Sequence, residues 1–429
     1  MTRAAGLRSV LAVLAAVLIA GCASDSLLAS PAAATTPSLA PSPVATKLPT
    51  PTPSAMASPA PVVTASPSPA PPTFPAKALA IPPTAKGWRP VPDQKAVRQV
   101  QLMDVVWTGS RFVAASWDGF LDSTDGISWH RQKNPGRWGP TALAAGPDGV
   151  VAVGRIGDRL ASWHSMDGLT WATAQRALPA HSRDDTTIND VVATPSGWLA
   201  VGGEAAGPCA SECGWARAYA WRSTDGLHWT RAPDQASLKK AELTSVTRAG
   251  DRFVAGGEKG SYAALWTSPD GVTWTRSSGA SFGRASAGGL LPRIFAVAAR
   301  SDTVVAVGAD DAQDVGGRAH AWWSSDGKAW TAAKVQRPRD AVMQGVTATR
   351  QAFLAVGGSA AYSCRGGIWE SPDGRAWRCI ARERAFKGFV AFAAAASDTV
   401  EIAVGITQAG YDENSAEAPP GAVWWRPTP

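Results

Sequence analysis

The sequence predicts an all-β fold: a seven-bladed β-propeller of four-stranded antiparallel blades, its ring closed by an N-terminal strand, after a disordered Pro-rich linker. Three observations carry this. First, Ser-x-Asp-Gly-x-x-Trp occurs six times: STDGISW (123–129), SMDGLTW (165–171), STDGLHW (223–229), SPDGVTW (268–274), SSDGKAW (324–330) and SPDGRAW (371–377). Second, the aspartates of these boxes lie 42, 58, 45, 56 and 47 residues apart. Short runs rich in Val, Phe and Trp fill that spacing, punctuated by Gly, Asp and Pro, which is the pattern of one propeller blade per repeat. Third, the ends complement each other. The last unit has no box, and WRPVPDQ (88–94) matches WTRAPDQ (229–235), the segment that follows the third box.

The chain opens with Arg3, Arg8 and the apolar run VLAVLAAVLIA (10–20). That run is short of the ~20 residues a spanning helix needs, and residues 1–21 read as a secretion signal. The tetrapeptide IAGC (19–22) resembles the lipobox of bacterial lipoproteins. The resemblance implies cleavage before Cys22 and a lipid on its sulfur, hence an exported protein held at the bacterial cell surface by its anchor. Residues 22–86 are rich in Pro, Ala, Ser and Thr, most densely over PSPVATKLPTPTPSAMASPAPVVTASPSPAPP (41–72). Such a segment has too few apolar side chains to bury a core, and its prolines favour an extended spacer, so it reads as a disordered stalk. The folded part is residues 87–429.

Each box follows three strand-like runs. In the third unit these are NDVVATP (189–195), WLAVGG (198–203) and the run ending at Trp221. Enrichment in β-branched and aromatic residues between turn formers is a strand signal. A second Trp stands two residues before the box Ser in five units, at Trp163, Trp221, Trp266, Trp322 and Trp369, with Leu121 in the first. The last unit supplies FVAFAAAA (389–396), EIAVG (401–405) and AVWWRP (422–427) and then stops. A strand after Gly87 completes it, giving seven blades and leaving no open sheet edge.

The box suits a tight chain reversal. Gly supplies positive φ, and the Ser and Asp oxygens accept backbone N–H groups. The closing Trp buries a large area. This assigns a structural role to Asp125, Asp167, Asp225, Asp270, Asp326 and Asp373, with Trp129, Trp171, Trp229, Trp274, Trp330 and Trp377. The motif resembles the Asp-box (BNR) repeat of sialidases and other secreted propellers, although each copy lacks the residue that family usually carries between Asp and Gly. The resemblance implies a hairpin on the face away from any catalytic site. In sialidases that site holds three arginines, an Asp acid/base and a Tyr activated by Glu, and the first arginine sits in a Phe/Tyr-Arg-Ile-Pro motif. No such motif precedes Ser123, and PRIF (292–295) reverses the order within the fifth unit. None of the four tyrosines falls at a matching place, so no catalytic residue is assigned.

The connections differ by face. First-to-second turns and boxes are short and share one face; second-to-third and inter-blade connections are long and share the other. Rigid scaffolds carry binding on variable loops, so Trp117, Trp138, Trp215, Arg137, Arg183 and Arg217 are the candidate binding residues on the long-loop side. The acidic run at 310–317 offers Asp310, Asp311 and Asp314 to a Ca²⁺ ion but lacks the Glu and spacing of a calcium loop; it reads as a solvated loop, and no metal or cofactor is assigned. Cys209, Cys213, Cys364 and Cys379 suit an oxidising compartment, with local pairs 209–213 and 364–379 favoured and a crossed pairing left open. The net charge of +7 falls to about +5 without Arg3 and Arg8, and its cations are scattered, which does not suit nucleic acid. The sequence therefore points to a monomeric, lipid-anchored propeller with a non-catalytic binding or scaffolding role at the cell envelope, toward a glycan or protein ligand. The alternative is a sialidase-like glycoside hydrolase with a site over the central channel.

Overall fold

A computed structural model describes residues 87–429 except 93, 133–138, 182–184, 208–213, 261, 279–291, 311–316, 337, 360–363, 365–366, 382–385, 387 and 408–418. Residues 1–86, with the expected signal, Cys22 and stalk, and Cys209 and Cys213 lie outside the described residues.

Seven sheets form blades 1 to 7 in chain order. Their inner strands are Leu102–Trp107, Pro140–Gly146, Thr186–Thr194, Ala241–Ala249, Pro292–Arg300, Ala341–Ala348 and Phe389–Ala396. Three more strands follow outward in each, all antiparallel; in blade 3 they are Gly197–Ala205, Trp215–Ser223 and Thr230–Arg231. Blade 6 departs from the expected four. The connection from blade 5 adds Lys334–Val335 in parallel to the outer strand Ala376–Cys379. Trp369 Nε1 helps hold it there by donating to the carbonyl of Gln336 at 3.1 Å. In the same blade a disulfide joins Cys364 to Cys379, as favoured from their spacing.

The ring closes as the sequence predicts. Arg89–Pro90 pairs with Trp425 and Trp424 of the last strand, Gly421–Pro427. This is the register in which Thr230 and Arg231 pair with Arg222 and Trp221. The matching heptapeptides also end on residues with one task. Gln94 donates to the carbonyl of Ile127 at 2.6 Å and accepts from Trp129 N at 2.7 Å. Gln235 donates to the carbonyl of Val272 at 2.6 Å and accepts from Trp274 N at 2.8 Å. Each glutamine thus ties the outer strand of one blade to the box of the next. Where a seventh box serine would stand, Arg426 bridges Glu370 of blade 6 and Glu401 of blade 7, at 2.7 and 2.6 Å.

The apolar core is divided into seven clusters, one per interface between neighbouring blades. Both Trp of a box serve the interface with the preceding blade. Trp221 pairs with Arg231, and Trp229 lies two residues before Arg231, so strand alternation puts the two indoles on one face. In each box the Ser hydroxyl accepts from the Gly N–H, at 2.8 Å in Ser223–Gly226. Asp225 Oδ1 takes the next two amides, Leu227 at 2.9 Å and His228 at 2.8 Å. The six box glycines have φ between 69° and 76°. They also leave room for the preceding blade: a Cβ on Gly226 would stand 2.3 Å from Val151 Cγ2. The box is thus a clamp between blades as well as a turn.

Every inner strand carries one β-bulge at the same register, falling on Met103, Thr141, Asn189, Thr244, Phe295, Gln344 and Phe392. An inner strand has an unpaired edge toward the channel, and buried edge amides need other acceptors. The bulge turns polar side chains to that edge. Asp104 accepts from Leu143 N of blade 2 at 2.7 Å, Asp190 from Val246 N of blade 4 at 2.8 Å, and Ser245 from Val297 N of blade 5 at 3.2 Å.

Candidate functional site

Antiparallel order places the first-to-second turns and boxes on one face of the ring and the long connections on the other. On the long-loop face, blades 3 to 5 gather most of the described buried charge. Two networks are built there from the ends of second strands and the beginnings of first and third strands.

The outer network lies in blade 3. Tyr219 donates to Glu204, and its hydroxyl is 2.7 Å from His181 Nδ1. Arg217 Nη1 is 2.7 Å from Asp234 Oδ2, and Arg217 Nε is 3.3 Å from Glu204 Oε2. Arg231 pairs with Asp234 and stacks over the Tyr219 ring, 5.2 Å from its centroid. A tyrosine beside a glutamate is the arrangement a sialidase nucleophile requires, and it escaped the sequence reading. Its chemistry here is the reverse. Tyr219 is 2 % exposed, and burial, reinforced by the hydrogen bond to Glu204, pushes its hydroxyl well above the usual phenol range. The same register in blade 5 holds His320, 2.6 Å from Asp310. Asp310 thus spends an oxygen on a histidine. Asp311 and Asp314 lie outside the described residues, among which no group of three His, Cys, Asp or Glu side chains is arranged to hold a metal.

The inner network links blades 3, 4 and 5. Asn189, a bulge residue, donates to Glu242 at 2.7 Å and to the Leu243 carbonyl at 2.9 Å. Glu242 pairs in register with Glu258, and Arg293 of blade 5 reaches Glu258 at 2.9 Å. Burial, then the charge of Glu258, pushes Glu242 up to about 8. Trp215 closes on the same spot: a Cβ on Gly203 would meet its ring at 3.0 Å and Glu242 Cγ at 3.1 Å.

Of the candidate binding residues, Trp215 and Arg217 are therefore strand residues at the start of Trp215–Ser223 rather than loop residues, and both belong to these networks. Trp117 stands apart in a two-residue turn of blade 1, its indole N–H 3.1 Å from Met103 Sδ. Trp138, Arg137 and Arg183 lie outside the described residues. Four arginines on this face are engaged by the protein: Arg155 donates to the Thr186 carbonyl at 2.7 Å, Arg217 and Arg231 pair with Asp234, and Arg293 pairs with Glu258.

These ionisations couple to stability. Desolvation in the channel wall, then the charge of Asp190, pushes Asp104 up to about 7, and desolvation pushes Asp190 up to about 6. A raised carboxyl pKa stabilises the fold fully below the unfolded-state value and loses that contribution as pH rises through the folded-state value. The box aspartates act oppositely: amides of Thr170 and Leu169 hold Asp167 down to about 2, so its contribution is lost only in acid. The thermal midpoint is expected to fall between about pH 5 and pH 8.5 by a few degrees. Asp104→Asn and Glu242→Gln should each flatten that slope. A midpoint that is level or rising over the window, read by circular dichroism, contradicts the assignment.

Residues 77–313, more than half of the chain, match the model of the DUF6242 beta propeller domain. Among solved structures, the chain is similar to YCF48 bound to D1 peptide, at 12 % identity and a TM-score of 0.50, covering 80 % of this chain and 94 % of that one. It is also similar to the GH74 enzyme of Niastella koreensis, at 18 % identity and a TM-score of 0.47, covering 76 % of this chain and 43 % of that one. At such identities the likeness is one of fold. No curated protein matches the sequence.

Proposed function

The chain belongs to the DUF6242 β-propeller family, and from that premise we propose that it is an exported, lipid-anchored binding module, monomeric and non-catalytic. In this reading Cys22 carries the lipid, residues 22–86 hold the propeller off the membrane, and the boxes are Asp-box (BNR) repeats that only build the ring. The ligand, a peptide or a glycan, meets the long-loop face around Trp215. The observation that carries the reading is the state of the reactive groups there. The one Tyr–Glu pair among the described residues is buried, with its phenol held protonated, and the arginines around it are already ion-paired. Such a surface is pre-organised to recognise a ligand. YCF48, a propeller of the same fold, has been seen with a peptide bound, which supports a peptide as one class to test.

A glycan-active enzyme remains the second reading, favoured by one feature: a protonated Glu242 beside Glu258 has the form of an acid/base pair. One experiment separates the two. The mature protein is screened against glycan and peptide arrays and against aryl glycosides. Binding weakened about tenfold or more by Trp215→Ala, with no turnover, is the expected result. Glycoside turnover abolished by Glu242→Gln would establish the enzyme instead. The anchor is tested separately: intact-mass analysis should find a diacylglycerol adduct on Cys22, and Cys22→Ser should move the protein from the membrane to the soluble fraction.

A further inference from the structure

Blade 4 reverses a charge that its neighbours keep. At the long-loop end of the second strand, Glu204 of blade 3, Lys259 of blade 4 and Asp310 of blade 5 share one register, paired with Thr186, Ala241 and Pro292. Glu204 and Asp310 meet Arg217 and His320 there. Blade 4 puts an ammonium group in their place. A second change accompanies the first. Arg131, Arg231 and Arg276 occupy one register on the outer strands of blades 1, 3 and 4, paired with Leu121, Trp221 and Trp266. Arg131 is answered by Asp118, and Arg231 by Asp234 three residues on. The residue three after Arg276 is Gly279. The exposed Arg276 guanidinium has no acidic partner among the described residues.

These cations are gathered rather than scattered. Lys259 Nζ donates to the Ser237 carbonyl at 3.2 Å and to the Lys239 carbonyl. Trp266 Nε1 donates to the same Ser237 carbonyl at 3.1 Å. The ammonium group therefore sits beside the indole whose register Arg276 shares. Lys240 is held at the end of the same strand, where its carbonyl accepts from Gly260 N at 2.8 Å. Burial, then the charges of Arg276 and Lys240, hold Lys259 below the usual lysine range, as expected of cations crowded without a counterion. Tyr262 pairs in register with Lys259, so its ring stands on the same face of the sheet, and it is 45 % exposed.

We propose that this corner of blade 4 binds a sugar phosphate, its phosphate monoester on Arg276, Lys259 and Lys240 and its ring against Tyr262. Three cations without a carboxylate are answered best by a dianion, and a phosphate monoester carries about −1.5 to −2 charges at pH 7. Its oxygens accept from a guanidinium fork and from an ammonium group together. The exposed phenol ring beside them offers the carrier a flat apolar face. The proposal rests on the reading of the long-loop face as the binding face, and it does not need Trp215.

The test uses the full mature protein and calorimetric titration at low salt, with glucose 6-phosphate, inorganic phosphate and glucose as probes. Saturable binding of glucose 6-phosphate is expected, with inorganic phosphate weaker and glucose at least about tenfold weaker, since a hydrogen bond between charged groups is worth more than one decade in affinity. Arg276→Ala should cost about tenfold, and so should Lys259→Gln, which removes the charge and keeps an N–H donor. Tyr262→Ala should weaken glucose 6-phosphate and leave inorganic phosphate unchanged. Trp215→Ala should leave all three titrations unaltered, so that this site and the ligand proposed at Trp215 fail separately. Unchanged melting curves check the fold of each variant. No saturable binding of glucose 6-phosphate, glucose binding as well as its phosphate, or glucose 6-phosphate binding unaltered by Arg276→Ala and Lys259→Gln would each overturn the proposal.

Discussion

Trp88→Ala is expected to lower the thermal midpoint by about 10 °C and to open the ring at its seam. Trp88 is the closing indole of blade 7, supplied by the opposite end of the chain from the other strands of that blade. It is 7 % exposed and packs with Leu354, Val356 and Ile368 of blade 6 and Trp424 of blade 7. The Arg426 guanidinium covers its ring at 5.2 Å. Truncating a buried Trp costs about 3–5 kcal/mol. Here the loss falls on a seam whose ladder is only two residues long, Arg89–Pro90. Limited proteolysis should then cut the N-terminal segment before any other part of the propeller. A midpoint shift under about 2 °C with an unchanged cleavage pattern would falsify the closure energetics.

Gly226→Ala is expected to destabilise by about 2–5 kcal/mol, combining two costs that an internal comparison separates. Gly226 has φ of 74°, and its missing Cβ would lie 2.3 Å from Val151 Cγ2 of the preceding blade. Gly250 has φ of 63°, and a Cβ there would meet nothing within 4 Å. Gly250→Ala should therefore show only the backbone cost of about 1–2 kcal/mol. The excess at Gly226 belongs to the clamp between blades 2 and 3. Adding Val151→Ala to Gly226→Ala should recover part of that excess, a coupling expected only of residues in contact. Equal effects at the two glycines, measured by denaturant unfolding, would reduce the box to a turn.

Much of the fold is legible because a propeller repeats its local chemistry. The Ser and Asp oxygens, the positive-φ Gly and the paired indoles act within about ten residues of one another, so the same letters return in each blade. Even the closure is written locally, since Gln94 and Gln235 do one job and their flanking residues match. The bulges are invisible by the same logic. A bulge needs an extra residue of no particular type, and Met103, Thr141, Asn189, Thr244, Phe295, Gln344 and Phe392 share no chemistry. The fifth strand of blade 6 is hidden too, because Lys334 and Val335 resemble any inter-blade connection until the edge of Ala376–Cys379 is beside them.

The candidate site divides along the same line. Trp215 and Arg217 stood out as unusual residues in a variable segment, and both belong to the networks on the long-loop face. Glu204, Tyr219, Glu242, Glu258 and Arg293 did not stand out, since each is an ordinary residue whose meaning depends on a neighbour in another strand or blade. Lys259 becomes distinctive only when the second strands are aligned by their pairing. The sequence by itself determined the repeat, the blade count, the role of the box and the closure, all of which rest on turn chemistry and strand alternation over a few residues. Tertiary structure alone decided which polar groups meet, because those contacts cross between strands and between blades. It also decided their protonation, because burial in the ring and the approach of a second carboxylate, as Glu258 approaches Glu242, exist only once the blades have closed.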